Sequence, residues 1–165
     1  MIRNIIFLLV FYFGLIFLLI LFIPSLILPQ YIVTLGGKLL GYWSSFCLKY
    51  IMATKIEVKG TENIINNQKY FVVSSHQSIF ETFFLQTIFE NPVFILKKEL
   101  IKIPLFGWYL KKIGSIDIVR DTTTKDNLNF FDKIKNNVEI SKRPLLIFPQ
   151  GTRVKFGERL PFKKG

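Results

Sequence analysis

The sequence predicts an α/β fold with a mixed, largely parallel sheet flanked by helices, behind an N-terminal transmembrane or interfacial helical anchor. Three observations predict it: residues 4–37 carry no charge, the first acidic residue is Glu57, and short apolar runs then alternate with helical patterns. Strands that alternate with helices form βα units. We therefore divide the chain into an anchor with an interfacial helix, residues 1–54, and an α/β domain, residues 55–165.

The anchor begins with an apolar run from Ile5 to Ile23, which ends at Pro24. A helix of this length reaches about 28 Å, close to the roughly 30 Å hydrocarbon core of a bilayer. A signal peptide has a shorter apolar region and a small-residue cleavage site, so we expect an uncleaved anchor. The alternative is a core helix of a larger protein. More lysines follow the run than precede it, which predicts a domain on the cytoplasmic side of the inner or plasma membrane.

Residues 39–54 predict a second helix that lies along the membrane interface. Trp43, Tyr50 and Lys49 suit the headgroup level, where amphipathic rings and snorkelling lysines are stable. Packing of this helix against the α/β domain is a compatible alternative.

The α/β domain is predicted from periodicity and turn residues. Apolar or alternating runs predict strands at 55–60, 70–75, 92–98, 115–119 and 143–152. Helical spacing predicts helices at 78–89, 103–114 and 122–137.

Composition limits the classes of partner and cofactor. The formal net charge is +11 and half of the residues are hydrophobic, which fits an anionic membrane surface, a phosphorylated substrate or a nucleic acid. The membrane segment and the lack of a nucleic-acid motif argue against nucleic acid. With one cysteine, Cys47, and one histidine, His76, the chain cannot form an internal disulfide, and a structural zinc site is not expected. We expect Cys47 only to pack, and we expect no metal and no cofactor.

His76 follows a predicted buried strand, and Glu81 lies just over one turn into the following helix. Ligands of open α/β sheets bind outside the carboxyl ends of the strands. A carboxylate on one imidazole nitrogen would leave the other nitrogen free to accept a proton, as a general base requires. The alternative is a histidine that merely ends a strand.

Two further segments predict an anion site. In "IFPQGTR", Gly151 allows close approach of a ligand, Thr152 adds a hydroxyl, and Arg153 offers a planar fork suited to phosphate. In "GSIDIVRD", Arg120 follows a strand and could bind the same anion. The alternatives are an ordinary turn and surface charge pairs.

Together and in this order, "SHQSIFE", "GSIDIVR" and "FPQGTR" resemble the conserved blocks of the 1-acylglycerol-3-phosphate acyltransferases, which read N-H-x-x-x-x-D, G-x-[IV]-x-[IV]-x-R and F-P-E-G-T-R. The resemblance covers about residues 55–165. It implies a glycerolipid acyltransferase-like fold and transfer of an acyl group from acyl-CoA or acyl carrier protein to the sn-2 hydroxyl of a lysophospholipid, 1-acylglycerol 3-phosphate, giving phosphatidic acid.

The resemblance also implies roles for the residues of the three blocks. His76 would be the general base and Glu81 would orient it, without a covalent acyl-enzyme. The phosphate would be held by Arg120, Gly151, Thr152 and Arg153.

Three departures from the family pattern affect these expectations. Glu81 replaces an aspartate and Gln150 replaces a glutamate. The sequence ends at "PFKKG" without the family's fourth block, V-P-[IV]-x-P, so we expect a C-terminally truncated chain. Two alternatives therefore stay open: an inactive membrane-anchored remnant, and an acyltransferase for another lysolipid such as lyso-ornithine lipid.

Overall fold

The computed structural model describes residues 1–65, 68, 70–119, 130, 132–136, 143–158 and 160–162. The chain divides into two compact units. The helical unit contains residues 1–64 and 80–89, and the sheet unit contains residues 65–79 and 90–165.

The helical unit is built from three helices: α1 (Ile2–Leu21), α2 (Gln30–Phe46) and α3 (Phe80–Ile88). In the described part of the chain, α1 is the one helix long and apolar enough to cross a membrane. Only 11% of its most apolar window is buried, whereas the core helix of a soluble protein would be mostly buried.

The second helix begins earlier than the sequence predicts, at Gln30 rather than at residue 39. Pro24 lies in a 3₁₀ turn that follows α1, and Pro29 is the N-terminal cap of α2. Proline is well suited to the start of a helix because its fixed φ matches and its missing N–H needs no partner there. The helix ends in a π-helical turn, Cys47–Ile51.

Small residues let the helices of this unit approach closely. Gly14 of α1 lies against the indole of Trp43, whose ring N–H donates a 3.3 Å hydrogen bond to the carbonyl oxygen of Phe11. Gly41 of α2 faces the backbone carbonyl of Phe83 in α3. Because a side chain at either glycine would meet these atoms, both contacts depend on the absence of a Cβ.

The sheet unit contains β1 (Phe71–Val73), β2 (Val93–Lys97), β3 (Ile116–Ile118) and β4 (Leu145–Ile147). Among the described residues these four strands form one sheet in the order β1-β4-β2-β3, and every pair is parallel. Val73 pairs with Ile147 at the carboxyl ends of β1 and β4. The prediction that β1 is buried is wrong, because it is an edge strand in which Phe71 is 57% and Val73 is 64% exposed. The structure confirms the predicted α/β fold with a largely parallel sheet.

Apolar side chains of the two central strands form the core of this unit. In β4, Leu146 is fully buried, as is Val93 in β2. Central strands of parallel sheets are covered on both faces, so they read as continuous apolar runs, as they do in this sequence. The core cluster consists of Val93, Ile95, Ile116, Phe130 and Leu145.

The strand predicted at residues 55–60 is wrong, because this segment pairs with no strand in the described chain. Glu57 forms ion pairs with Lys55 at 3.6 Å and with Lys59 at 3.1 Å. Val58, one of the two apolar residues in this alternating segment, is 42% exposed. The alternation of charged and apolar residues at 55–60 therefore does not bury an apolar face against a core.

The helix predicted at 103–114 is α4 (Phe106–Lys112), which follows a 3₁₀ turn at Lys98–Lys102. Gly114 after α4 has a φ of 79°, a left-handed conformation that favours glycine at helix ends. Of the helix predicted at 122–137, residues 130 and 132–136 are helical. The remaining residues of that prediction lie outside the described residues.

Candidate functional site

His76 lies at the carboxyl end of β1, beside the carboxyl end of β4. Pairing of these strands continues past their ends, since the backbone N–H of Ser74 donates to the carbonyl oxygen of Ile147 at 3.1 Å. The imidazole of His76 is half-buried and stacks on Phe148, with 4.5 Å between ring centroids and 30° between ring planes. The phenyl ring of Phe148, just after β4, therefore covers one face of the imidazole.

The segment after β4 turns back toward His76. Phe148 to Gly151 form a turn in which the N–H of Gly151 donates to the carbonyl oxygen of Phe148 at 3.0 Å. Pro149 occupies the second position of this turn, which its fixed φ favours. Gly151 has a φ of 67°, which a residue with a side chain rarely adopts.

A backbone hydrogen bond joins the two loops. The N–H of Val154 donates to the carbonyl oxygen of His76 at 2.7 Å. Val154 is 3% exposed, so its side chain anchors this end of the loop, whereas Thr152 and Arg153 just before it are exposed. The guanidinium of Arg153 and the hydroxyl of Thr152 are therefore accessible to solvent, in a loop that is bonded to the backbone of His76. An anion is the ligand that suits them.

Glu81 is the predicted partner of His76, and Arg120 is a predicted phosphate-binding residue. Glu81 is half-buried in the first turn of α3, within the helical unit. A carboxylate in this position interacts favourably with the helix dipole. Arg120 lies outside the described residues. The backbone bond between Val154 and His76 thus brings the segment Gly151, Thr152 and Arg153 close to the backbone of His76.

Two further side chains contribute to this region. The apolar run of β4 does not indicate that Phe148 contacts the imidazole, so sequence reasoning missed this contact. Gln150 has a buried side-chain oxygen that accepts no hydrogen bond from the described part of the chain. This oxygen is available to a donor group of a ligand or to water.

Arg143, just before β4, is a second residue whose contacts sequence reasoning missed. Its guanidinium donates to the carbonyl oxygens of Asn91 at 2.7 Å and of Ile113 at 2.8 Å. Burial lowers the pKa of Arg143. The arginine therefore ties the start of β2 and the end of α4 to β4, at the end of the sheet opposite His76. Its role is structural.

Cys47 is fully buried in the helical unit, as expected for a cysteine that only packs. Burial raises the pKa of its thiol, which disfavours the reactive thiolate. Within the described residues, no group of three or more His, Cys, Asp or Glu side chains could hold a metal ion.

Comparison with known proteins adds a family match. Residues 55–165 match the family model described as Acyltransferase. The crystal structure of the 1-acyl-sn-glycerophosphate (LPA) acyltransferase PlsC from Thermotoga maritima superposes with a TM-score of 0.76 and 25% identity, covering 99% of this chain and 67% of that one.

Several curated proteins named 1-acyl-sn-glycerol-3-phosphate acyltransferase are similar in sequence. The Pseudomonas aeruginosa protein is 35% identical over 128 residues, which is 74% of this chain and 48% of the relative. The human alpha protein is 30% identical over 119 residues, which is 72% of this chain and 42% of the relative. The chain thus spans about half the length, or less, of these relatives.

Proposed function

This chain belongs to the acyltransferase family, and we propose that it transfers an acyl group from acyl-CoA or acyl carrier protein to the sn-2 hydroxyl of 1-acylglycerol 3-phosphate. The product is phosphatidic acid, a phospholipid precursor. The names of the relatives support this acceptor. The observation that carries the proposal is the 2.7 Å hydrogen bond from the backbone N–H of Val154 to the carbonyl oxygen of His76, because it holds the histidine backbone beside the loop with the exposed Thr152 and Arg153.

In the proposed reaction, His76 accepts the proton of the sn-2 hydroxyl while the hydroxyl oxygen attacks the thioester carbonyl carbon. The tetrahedral intermediate then expels the thiolate, which takes the proton from the imidazolium and leaves as the thiol. A positioned general base of this kind accelerates transfer by roughly 10²- to 10⁴-fold. No covalent acyl-enzyme forms, because the histidine activates the acceptor directly.

The phosphate of the acceptor is assigned to the loop after β4 and to Arg120. The guanidinium of Arg153 can donate two parallel hydrogen bonds to phosphate oxygens. Gly151 lets the phosphate approach the backbone, and Thr152 adds a hydroxyl donor. Glu81 is assigned to orient His76.

The proposed location is a membrane, where the lipid acceptor resides. The apolar helix α1 would span the bilayer or lie in its interface, with the sheet unit on the cytoplasmic side. Lys38, Lys49 and Lys55 follow α1, whereas Arg3 is the one arginine or lysine before residue 38, which supports this sidedness.

The proposal is tested by offering the purified chain in detergent–lipid micelles a panel of lysolipids with acyl-CoA and with acyl carrier protein. Mass spectrometry identifies the products. We expect acylation of 1-acylglycerol 3-phosphate and loss of that product in a His76→Asn variant. Faster acylation of lyso-ornithine lipid would assign a different acceptor.

A second sample distinguishes an inactive remnant from an active enzyme. It consists of this chain fused to the C-terminal part of the Pseudomonas aeruginosa relative beyond the matched region. If neither protein acylates any lysolipid in the panel, the proposed activity is wrong.

A further inference from the structure

Residues 97–112 of the sheet unit form an exposed surface, which we call the Trp108 ridge. It consists of the 3₁₀ turn Lys98–Lys102, a tight turn at Leu105, and α4. Three large apolar side chains are exposed on it: Leu100 at 37%, Ile103 at 44% and Trp108 at 52%. Three exposed apolar side chains within one short segment favour an interaction site over the single scattered ones that are normal on a surface.

Helix α4 presents this surface on one side only. Trp108, Lys111 and Lys112 follow the i, i+3, i+4 spacing that places side chains on one face of a helix. Gly107 and Tyr109 are buried, so they face the interior of the sheet unit. The exposed face thus combines one large aromatic ring with two cations.

A strained turn fixes the shape of the ridge. Leu105 has a φ of 59° and a ψ of −59°, and the N–H of Phe106 donates to the carbonyl oxygen of Pro104 at 2.6 Å. This is a γ-turn with positive φ, which is rare because it is strained. Gly107 holds the turn in place: it lies against the carbonyl of Ile101, and its N–H donates to Ile103 at 2.8 Å. Such strain clusters at functional segments.

The charge of the ridge identifies the chemistry of its partner. Residues 97–112 contain five lysines and one acidic residue, Glu99, which is already paired with Lys97 at 3.4 Å. Lysines near a membrane surface are attracted to anionic headgroups, and tryptophan is stable at the headgroup level. Lysines can also extend their ammonium groups to the phosphates while their stems cover apolar surface.

We propose that the Trp108 ridge binds the surface of a membrane that contains anionic phospholipid. Trp108, Ile103 and Leu100 enter the boundary between headgroups and acyl chains, and Lys102, Lys111 and Lys112 contact headgroup phosphates. This contact is assigned to residues of the sheet unit and not to residues of helix α1. It does not depend on the proposed acyl transfer, so a chain without activity would still show it.

Tryptophan fluorescence of the full chain in vesicles tests the proposal. The chain has two tryptophans, so the signal of Trp108 is the difference between the native chain and a Trp108→Phe variant. We expect quenching of Trp108 by lipids brominated near the headgroup in vesicles with about 30 mol % anionic lipid, and much weaker quenching in zwitterionic vesicles. Raising the salt concentration should reduce the quenching.

Two variants of equal net charge separate the ridge from general charge attraction. Replacing Lys102, Lys111 and Lys112 with glutamine should reduce the Trp108 signal at least about twofold. Replacing the exposed lysines Lys133, Lys135 and Lys155 of the sheet unit with glutamine should leave it unchanged. Circular dichroism of both variants checks that each folds like the native chain.

Three results would overturn the proposal. The first is equal quenching of Trp108 in zwitterionic and anionic vesicles, and the second is equal loss of quenching in both lysine variants. The third is Trp108 fluorescence that does not change when vesicles are added but changes when acidic acyl carrier protein is added in detergent. That result would make the ridge a protein-binding surface.

Discussion

The backbone N–H of Val154 donates a hydrogen bond of 2.7 Å to the carbonyl oxygen of His76. The bond joins the loops that follow two neighbouring parallel strands, and the stacking of His76 on Phe148 reinforces it. Because both loops follow strands of one sheet, the sheet fixes the backbone of the histidine relative to the cationic loop. The proposed general base and phosphate site depend on this arrangement.

Replacing His76 with asparagine should lower the rate of acyl transfer by roughly 10²- to 10⁴-fold, because asparagine is polar but cannot accept the proton. Initial rates with acyl-CoA and 1-acylglycerol 3-phosphate measure the effect. The thermal midpoint should change little, since the hydrogen bond to Val154 uses the backbone of His76. Turnover close to that of the native chain would rule out His76 as the base.

Replacing Arg153 with alanine should raise the KM for 1-acylglycerol 3-phosphate about tenfold or more, because one charged hydrogen-bonding partner of the phosphate is lost. The KM for the acyl donor should change far less. Lysine at this position should restore only part of the affinity, since it lacks the planar fork. The control is Lys135→Ala, which removes an exposed cation elsewhere in the sheet unit. An unchanged KM in Arg153→Ala would remove this residue from the phosphate site.

Gly41→Ala should destabilise the helical unit by about 1–3 kcal/mol, because the new Cβ would lie 2.6 Å from the carbonyl oxygen of Phe83, a backbone atom that cannot move freely. Thermal unfolding in detergent, followed by circular dichroism, measures the change. Gly36→Ala is the matched control, since the three atoms nearest to its Cβ belong to the side chain of Phe22, which can shift more easily than a backbone carbonyl. Equal melting temperatures for the two variants would contradict the packing described for α2 and α3.

Arg143→Met should destabilise the sheet unit by about 2–4 kcal/mol, because it leaves the carbonyl oxygens of Asn91 and Ile113 without their donor. Urea unfolding with hydrogen exchange at β2 measures the loss. The control Lys133→Met removes an ion pair with Asp117 whose partners are 49% and 30% exposed, and it should cost less than about 1 kcal/mol. A loss for Arg143→Met no larger than that of the control would show that this arginine does not hold the strands together.

A cysteine placed at the exposed residue Lys59, in a chain carrying Cys47→Ala, should report the side of the membrane. With the proposed cytoplasmic domain, a membrane-impermeant maleimide labels this cysteine only after the cells are permeabilised. Equal labelling of intact and permeabilised cells would place the domain outside.

The sequence alone determined which segments are apolar and which residues are candidates for the site. Buried parallel strands read as continuous apolar runs, which predicts β2 and β4 in place. The apolar run at residues 70–75 also locates β1, but the strand lies at the edge of the sheet and is not buried. Prolines and glycines located turns, as at Gly114. The alternation at residues 55–60 failed as a predictor, because the same pattern arises from surface ion pairs that face no core.

Only the tertiary structure decided which distant residues meet. The parallel pairing of β1 with β4 placed Phe148 on His76, and no local pattern encodes that strand order. Arg143 gave no signal in the sequence either, since a half-buried arginine bound to two backbone carbonyls looks like any surface cation until its partners are placed. Local sequence sets burial and backbone preference, whereas contacts between strands are fixed by the packing of the whole sheet.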